Sequence, residues 1–95
     1  MYKTPLDQAE FDRHYQEIHI PLASKMPGLR RYTVSRNPLP VQGEPYHLIA
    51  ELEWDDLAAM QSAVASVQGQ AAAADVPTFA TGGVRSMVFE LEDVL

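Results

Sequence analysis

The sequence predicts an α+β fold, an antiparallel sheet carrying two amphipathic helices on one face, and three observations predict it. Phe11, Tyr15, Ile18 and Leu22 recur at i, i+4, i+7 and i+11, which places them on one narrow helical stripe. Tyr46, Leu48, Ala50, Leu52 and Trp54 alternate with more polar neighbours at period two, the signature of a strand with one face buried. Leu57, Met60, Val64 and Val67 form a second helical stripe. At 95 residues the chain is long enough for one apolar core and too short for two, so residues 1–95 are expected to form a single domain.

Each element has its own start and stop signals. Asp7 with Glu10 three residues on is an aspartate version of the capping box, and Leu6 and Phe11 stand at the N′ and N4 positions of a hydrophobic staple. Pro21 lacks an amide hydrogen and disfavours helical geometry at Ile20, so the first helix is expected to stop or kink around Ile18 to Ile20 and free carbonyls there. Pro27-Gly28 breaks the chain before a strand over Leu29 to Asn37. A turn rich in Pro38, Pro40, Gly43 and Pro45 leads to the antiparallel strand Tyr46 to Trp54. Asp55 or Asp56 caps the second helix, which continues through Gln68 to Ala74 after a possible break at Gly69. Pro77 and Gly82-Gly83 end that region and leave Val84 to Leu91 as a last strand. With Met1 to Lys3 as the stub of a first strand, the order becomes β-α-β-β-α-β.

Composition excludes several function classes. No apolar run approaches the roughly 20 residues of a membrane span, and the start lacks a secretory apolar region, so a soluble cytoplasmic protein with no membrane partner is expected. The absence of cysteine removes disulfides and thiolate nucleophiles, and a small fold without staples depends on packing or on a partner subunit. Thirteen acidic against seven basic residues give a net charge of −6, which opposes attraction to a phosphate backbone and argues against nucleic acid. Arg30, Arg31 and Arg36 are either a local anion site or ordinary solvated strand charges. No G-x-G-x-x-G, P-loop or G-x-S-x-G is present, so dinucleotide binding, phosphoryl transfer and acyl-enzyme chemistry lack residue support, and no cofactor is expected.

The sheet face away from the helices is the expected ligand cleft. The strongly apolar set from Tyr46 to Trp54 suits the helix side, which leaves His47, Ile49, Glu51 and Glu53 on the other. A hairpin symmetric about Gln42 adds Arg31, Thr33 and Ser35 to that open face. Apolar side chains beside a few convergent polar groups suit a pocket enclosed by the sheets of two protomers. The same residues also suit a plain interface in which Arg31 and Glu51 pair across strands.

Histidine titrates near neutrality and is the natural proton carrier here. His19 falls at the expected helix end, where free carbonyls favour imidazolium and loops line clefts; capping alone also explains it. His14 sits near Glu10 and reads as a surface or semi-buried pair outside the site. His14 and His19 are five residues apart, unlike the i, i+4 pair of a zinc helix, so no metal is expected.

Phe11-Asp12-Arg13-His14-Tyr15 with His19-Ile20-Pro21-Leu22, then Pro27-Gly28-Leu29-Arg30-Arg31-Tyr32, then Tyr46 to Trp54, resembles the EthD family over nearly the whole chain. Its most distinctive element is the H-x-P of His19 and Pro21 followed by P-G-L. The resemblance implies a ferredoxin-like fold, two copies of which pair sheet to sheet as a dimeric α/β barrel with the cleft inside. It also implies that His19, the family's H-x-P histidine, faces that cleft. EthD is associated with degradation of ethyl tert-butyl ether alongside a cytochrome P450 system, and members often carry the label reductase. Relatives in the superfamily include muconolactone isomerases, polyketide cyclases and haem-degrading monooxygenases, so the fold does not select a reaction.

Three functions follow as expectations. The first is cofactor-independent proton transfer of isomerase, cyclase or lactone type on a small cyclic or aromatic catabolic intermediate. His19 or His47 would be catalytic, and Arg31, Tyr32, Thr33, Ile49 and Glu51 would bind substrate. The second is a non-catalytic ligand-binding or accessory protein for an oxygenase system. The third is haem or oxygen-dependent chemistry, resting on the superfamily, Trp54 and the histidines, although Trp54 belongs more naturally to the helix-packed face.

Overall fold

The computed structural model describes residues 1–95. Helix α1 (Gln8–His14) passes into a π-helical turn (Tyr15–His19) and then α2 (Ile20–Ala23). Strands β1 (Arg31–Arg36) and β2 (Leu48–Glu53) follow, then α3 (Leu57–Ala65) and α4 (Val67–Phe79). Asp7 caps α1 as expected, its carboxylate accepting from the Glu10 amide at 3.0 Å. The staple does not form: Phe11 is buried while Leu6 is 91% exposed, because Phe11 turns into the core and leaves Leu6 nothing to cover.

Pro21 does not end the first helix. The Ile20 amide reaches back five residues to the Tyr15 carbonyl, so the helix is widened just before the proline instead of broken. Ordinary spacing resumes at once, the Ser24 amide donating to the Ile20 carbonyl at 2.9 Å. His19 therefore lies inside a continuous helical run and not at a carbonyl-rich end.

The strands are antiparallel with Arg31 opposite Glu53 and Arg36 opposite Leu48, the register symmetric about Gln42 that the sequence suggested. Tyr2 bridges Leu48 on one side and Val84 on the other. The order across the sheet is thus Val84, Tyr2, β2, β1, with both outer neighbours reduced to single bridges, which is a ferredoxin-like arrangement. The expected last strand Val84 to Leu91 is not formed beyond this bridge. Lys3 pairs with Gly83 and Met1 with Arg85, and no backbone hydrogen bond continues the ladder past Arg85. Met87, Val88, Phe89 and Leu91 stand exposed there.

Two core clusters lie between sheet and helices. Tyr2, Phe11, Tyr15, Leu48 and Phe79 form one, with Tyr32, Val34 and Ala50 packed against it; Ala23, Met26, Ala63 and Ala72 form the other, with Leu52 and Trp54 against it. Trp54 lies on this side, its indole donating to the Pro27 carbonyl at 3.0 Å. Asp56 caps α3 through the Ala59 amide at 2.8 Å. The break before α4 comes at Ser66, which caps α4 through the Gly69 amide, so Gly69 lies within the helix and not at its interruption. A Cβ at Gly69 would fall 2.1 Å from the Ala63 carbonyl oxygen, so this glycine is what lets the two helices join so closely. Pro77 is likewise inside α4, in its last turn, and the helix runs on to Phe79.

Candidate functional site

The strand alternation sorts the expected binding residues. Tyr32, Val34, Leu48, Ala50 and Leu52 face the helices, so Arg31, Thr33, Ile49 and Glu51 share the open face. Arg31 pairs with Glu53, directly opposite at 3.8 Å, and not with Glu51, which faces Thr33. Tyr32 is on the other side of the sheet, its hydroxyl 2.6 Å from that of buried Tyr15.

His47 does not follow the alternation. The Tyr2 carbonyl accepts from both the His47 amide, at 2.8 Å, and the Leu48 amide, at 3.4 Å. Two residues thus oppose one, a bulge that turns both side chains toward the helices. His47 is buried edge-on against Phe11, and its Nε2 lies 2.8 Å from a carboxylate oxygen of half-exposed Asp12 on α1.

His19 is 5% exposed between the π-turn and α4. Its Nδ1 lies 3.0 Å from Asp75 Oδ2, and its ring packs on Tyr15 and Phe79 at 5.1 and 4.8 Å between centroids. Asp75 also binds His14, Nε2 to Oδ1 at 2.8 Å, while the Thr78 hydroxyl sits 3.1 Å from the same oxygen. One carboxylate therefore holds two imidazoles. His14 is not Glu10's partner, since Glu10 is taken by Arg13. His19 and His47 are not brought together: His47 rests on Phe11, His19 on Tyr15 and Phe79, with this ring cluster linking them.

Electrostatics fix the protonation pattern. Burial alone would raise the Asp75 carboxyl, but hydrogen bonds from His14, His19 and Thr78 outweigh it and hold the group below the usual carboxylate range. Ionised Asp75 accepts only, so both imidazoles donate to it, His14 through Nε2 and His19 through Nδ1. Burial lowers the His19 pKa and outweighs the pull of Asp75, so the ring is neutral at pH 7 instead of the imidazolium expected for a helix end. Burial, followed by the Tyr32 hydrogen bond, raises Tyr15, and burial raises Tyr32, so both phenols stay protonated.

The chain matches the model of the EthD domain over residues 3–83, most of its length. It belongs to the EthD family. A crystal structure of an EthD family protein from Bacillus halodurans C-125 is similar, with TM-score 0.75 and 35% identity, covering 82% of this chain and 79% of that one. An uncharacterised 11.0 kDa protein in a thcB-thcC intergenic region of Rhodococcus erythropolis is 37% identical over 97 aligned residues, spanning all of this chain and 93% of that protein. Within this EthD domain, sequence reasoning missed Asp75 and so left His14, its second partner, outside the site. The signal available was one acidic residue on the stripe Ala72, Asp75, Phe79 of a helix otherwise rich in alanine, where a carboxylate facing the core needs partners.

Proposed function

We propose that this EthD-family protein binds a small cyclic or aromatic catabolic intermediate and catalyses cofactor-independent proton transfer of isomerase, cyclase or lactone type. His19 is the base. The observation that carries this reading is the His19–Asp75 pair: Nδ1–H is held by an ionised carboxylate, the ring is neutral, and Nε2 has no protein partner. A carboxylate that fixes the tautomer leaves Nε2 as the acceptor, the arrangement a general base requires. The Tyr15–Tyr32 hydroxyl pair, still protonated and next to His19 through the Tyr15 ring, has one O–H beyond its mutual bond to donate to a developing enolate oxygen. His47, with Nε2 engaged by Asp12, has no part in the transfer. The family's association with ether degradation supports the catabolic setting.

The open face of Arg31, Thr33, Ile49 and Glu51 meets the same face of a second copy in a dimeric barrel. His19 stands among the helices on the other side of the sheet and does not face that cleft, so the ligand it acts on is reached from the helix side. The exposed apolar run Met87 to Leu91 supports a partner of this kind. Light scattering on the full chain is expected to give twice the chain mass, and Ile49→Arg to halve it; a monomer at tens of micromolar would refute the pairing.

Proton transfer is tested by incubating the protein in D2O with enolisable cyclic ketones and unsaturated lactones and following loss of the C–H signal beside the carbonyl by NMR. The expected outcome is catalysed exchange that falls about a hundredfold in His19→Gln and persists in His47→Gln. Exchange at the native rate in His19→Gln sinks the assignment. The near-complete burial of His19 favours a second reading, a protein that holds its ligand unchanged. Saturable binding with no exchange would select it.

A further inference from the structure

His14, the second imidazole on Asp75, looks the other way. It lines a groove of about 100 Å³ between the start of α1 and the end of α4, with Leu6, Phe11 and Phe79 as apolar walls and Asp7, Glu10, Thr78 and Thr81 as polar ones. His14 Nε2 is committed to Asp75, which leaves Nδ1 as the ring nitrogen with no protein partner. No buried side-chain nitrogen or oxygen in the fold lacks a partner, so Nδ1 reaches open space, and the open space His14 lines is this groove.

We infer that the groove is a second small-molecule site, taking a neutral single-ring phenol whose hydroxyl hydrogen-bonds His14 Nδ1 while its ring lies against Phe79, Phe11 and Leu6. Each part of that class follows from the walls. The volume takes no more than one ring, part of which lies at the mouth of the groove. A free imidazole nitrogen on the floor selects a ligand carrying a hydroxyl, which can serve that nitrogen in either role. Asp7 at the groove and Asp75 behind His14 disfavour an anion, Glu10 being paired with Arg13, so carboxylates and phenolates of the same size bind less well. Leu6, exposed because it has no staple partner, extends the apolar wall at the mouth. The site is distinct from His19 and does not rest on the proposed proton transfer, although both imidazoles hang from one carboxylate.

The test uses 4-methylphenol as the probe and toluene as its match without a hydroxyl, followed by NMR on protein labelled with nitrogen-15. 4-Methylphenol is expected to shift the His14 ring nitrogens and the Thr78 and Thr81 amides saturably at pH 7.5. Toluene and His14→Phe should each weaken binding about tenfold, the size of one neutral hydrogen bond. Leu6→Arg, a change at an exposed position that leaves the core intact, should weaken it as well. Equal binding of toluene, unchanged affinity in Leu6→Arg, or shifts confined to residues away from the groove would overturn the inference. His19 exchange activity surviving in Leu6→Arg would show the two sites to be separate.

Discussion

Phe79→Ala is expected to destabilise the protein by about 3–5 kcal/mol, which for a domain of this size removes a large part of a total of roughly 5–15 kcal/mol. Phe79 is buried at the end of α4, with its ring centroid 4.8 to 5.6 Å from those of His19, His14, Phe11, Tyr2 and Tyr15. These partners come from the first strand stub, α1 and the π-turn, so the ring is where the two ends of the fold meet. Truncation leaves a void bordered by two histidines whose orientation depends on that wall. Urea denaturation followed by circular dichroism measures the loss. Phe89→Ala, at an exposed ring in the tail, is the matched control and should shift the single-chain midpoint little. A Phe79→Ala midpoint within about 1 kcal/mol of the native protein would mean that this cluster does not hold the helices to the sheet.

Local chemistry was the part of this fold that the sequence displayed well. The first helix stripe as far as Tyr15, the Asp7 cap, the hairpin register about Gln42 and the split of Ile49 and Glu51 from Leu48 and Ala50 all follow from period and turn residues within a short window. From the π-turn onward the buried positions pass to His19 and Ala23 and leave the expected Ile18 exposed, and Leu57, Val64 and Val67 of the second expected stripe are exposed as well. What sequence could not display depends on contacts made across the chain. The turn of His47 toward the helices comes from a bulge opposite Tyr2, 45 residues earlier, and a period-two pattern read along β2 alone assigns it the wrong face. Asp75 meets partners 56 and 61 residues away, so nothing near it in sequence announces its role. The last strand failed for a similar reason. Its apolar residues fit a strand, but pairing needs a neighbour, and Met1 to Lys3 is neighbour only to residues 83–85.

The second large effect is on pH dependence, through Asp75→Asn. The native protein is expected to lose stability in two stages as pH falls. His19 has a folded pKa below its unfolded value of about 6.5, so under that pH the unfolded chain binds the proton more readily and folding is penalised. Asp75 is depressed below its unfolded value of about 3.8, so its stabilisation is full above that value and disappears as pH drops through the lower, folded one. Both contributions have the same sign. In Asp75→Asn the acidic stage disappears, and at pH 7 the variant is weaker by about 2 kcal/mol, because an amide cannot serve two imidazole donors as a carboxylate does. The His19 stage, by contrast, grows: removing the carboxylate deletes the one influence that raised the His19 pKa, so its folded value falls further from the unfolded one. Thermal melts from pH 3 to 8 separate these changes, since one variant should flatten the curve near pH 4 and steepen it near pH 6. If Asp75→Asn simply lowered the melting temperature by the same amount at every pH, the carboxylate would be packing in the helix interface without an electrostatic hold on His19, and the base assigned to His19 would lose its physical support.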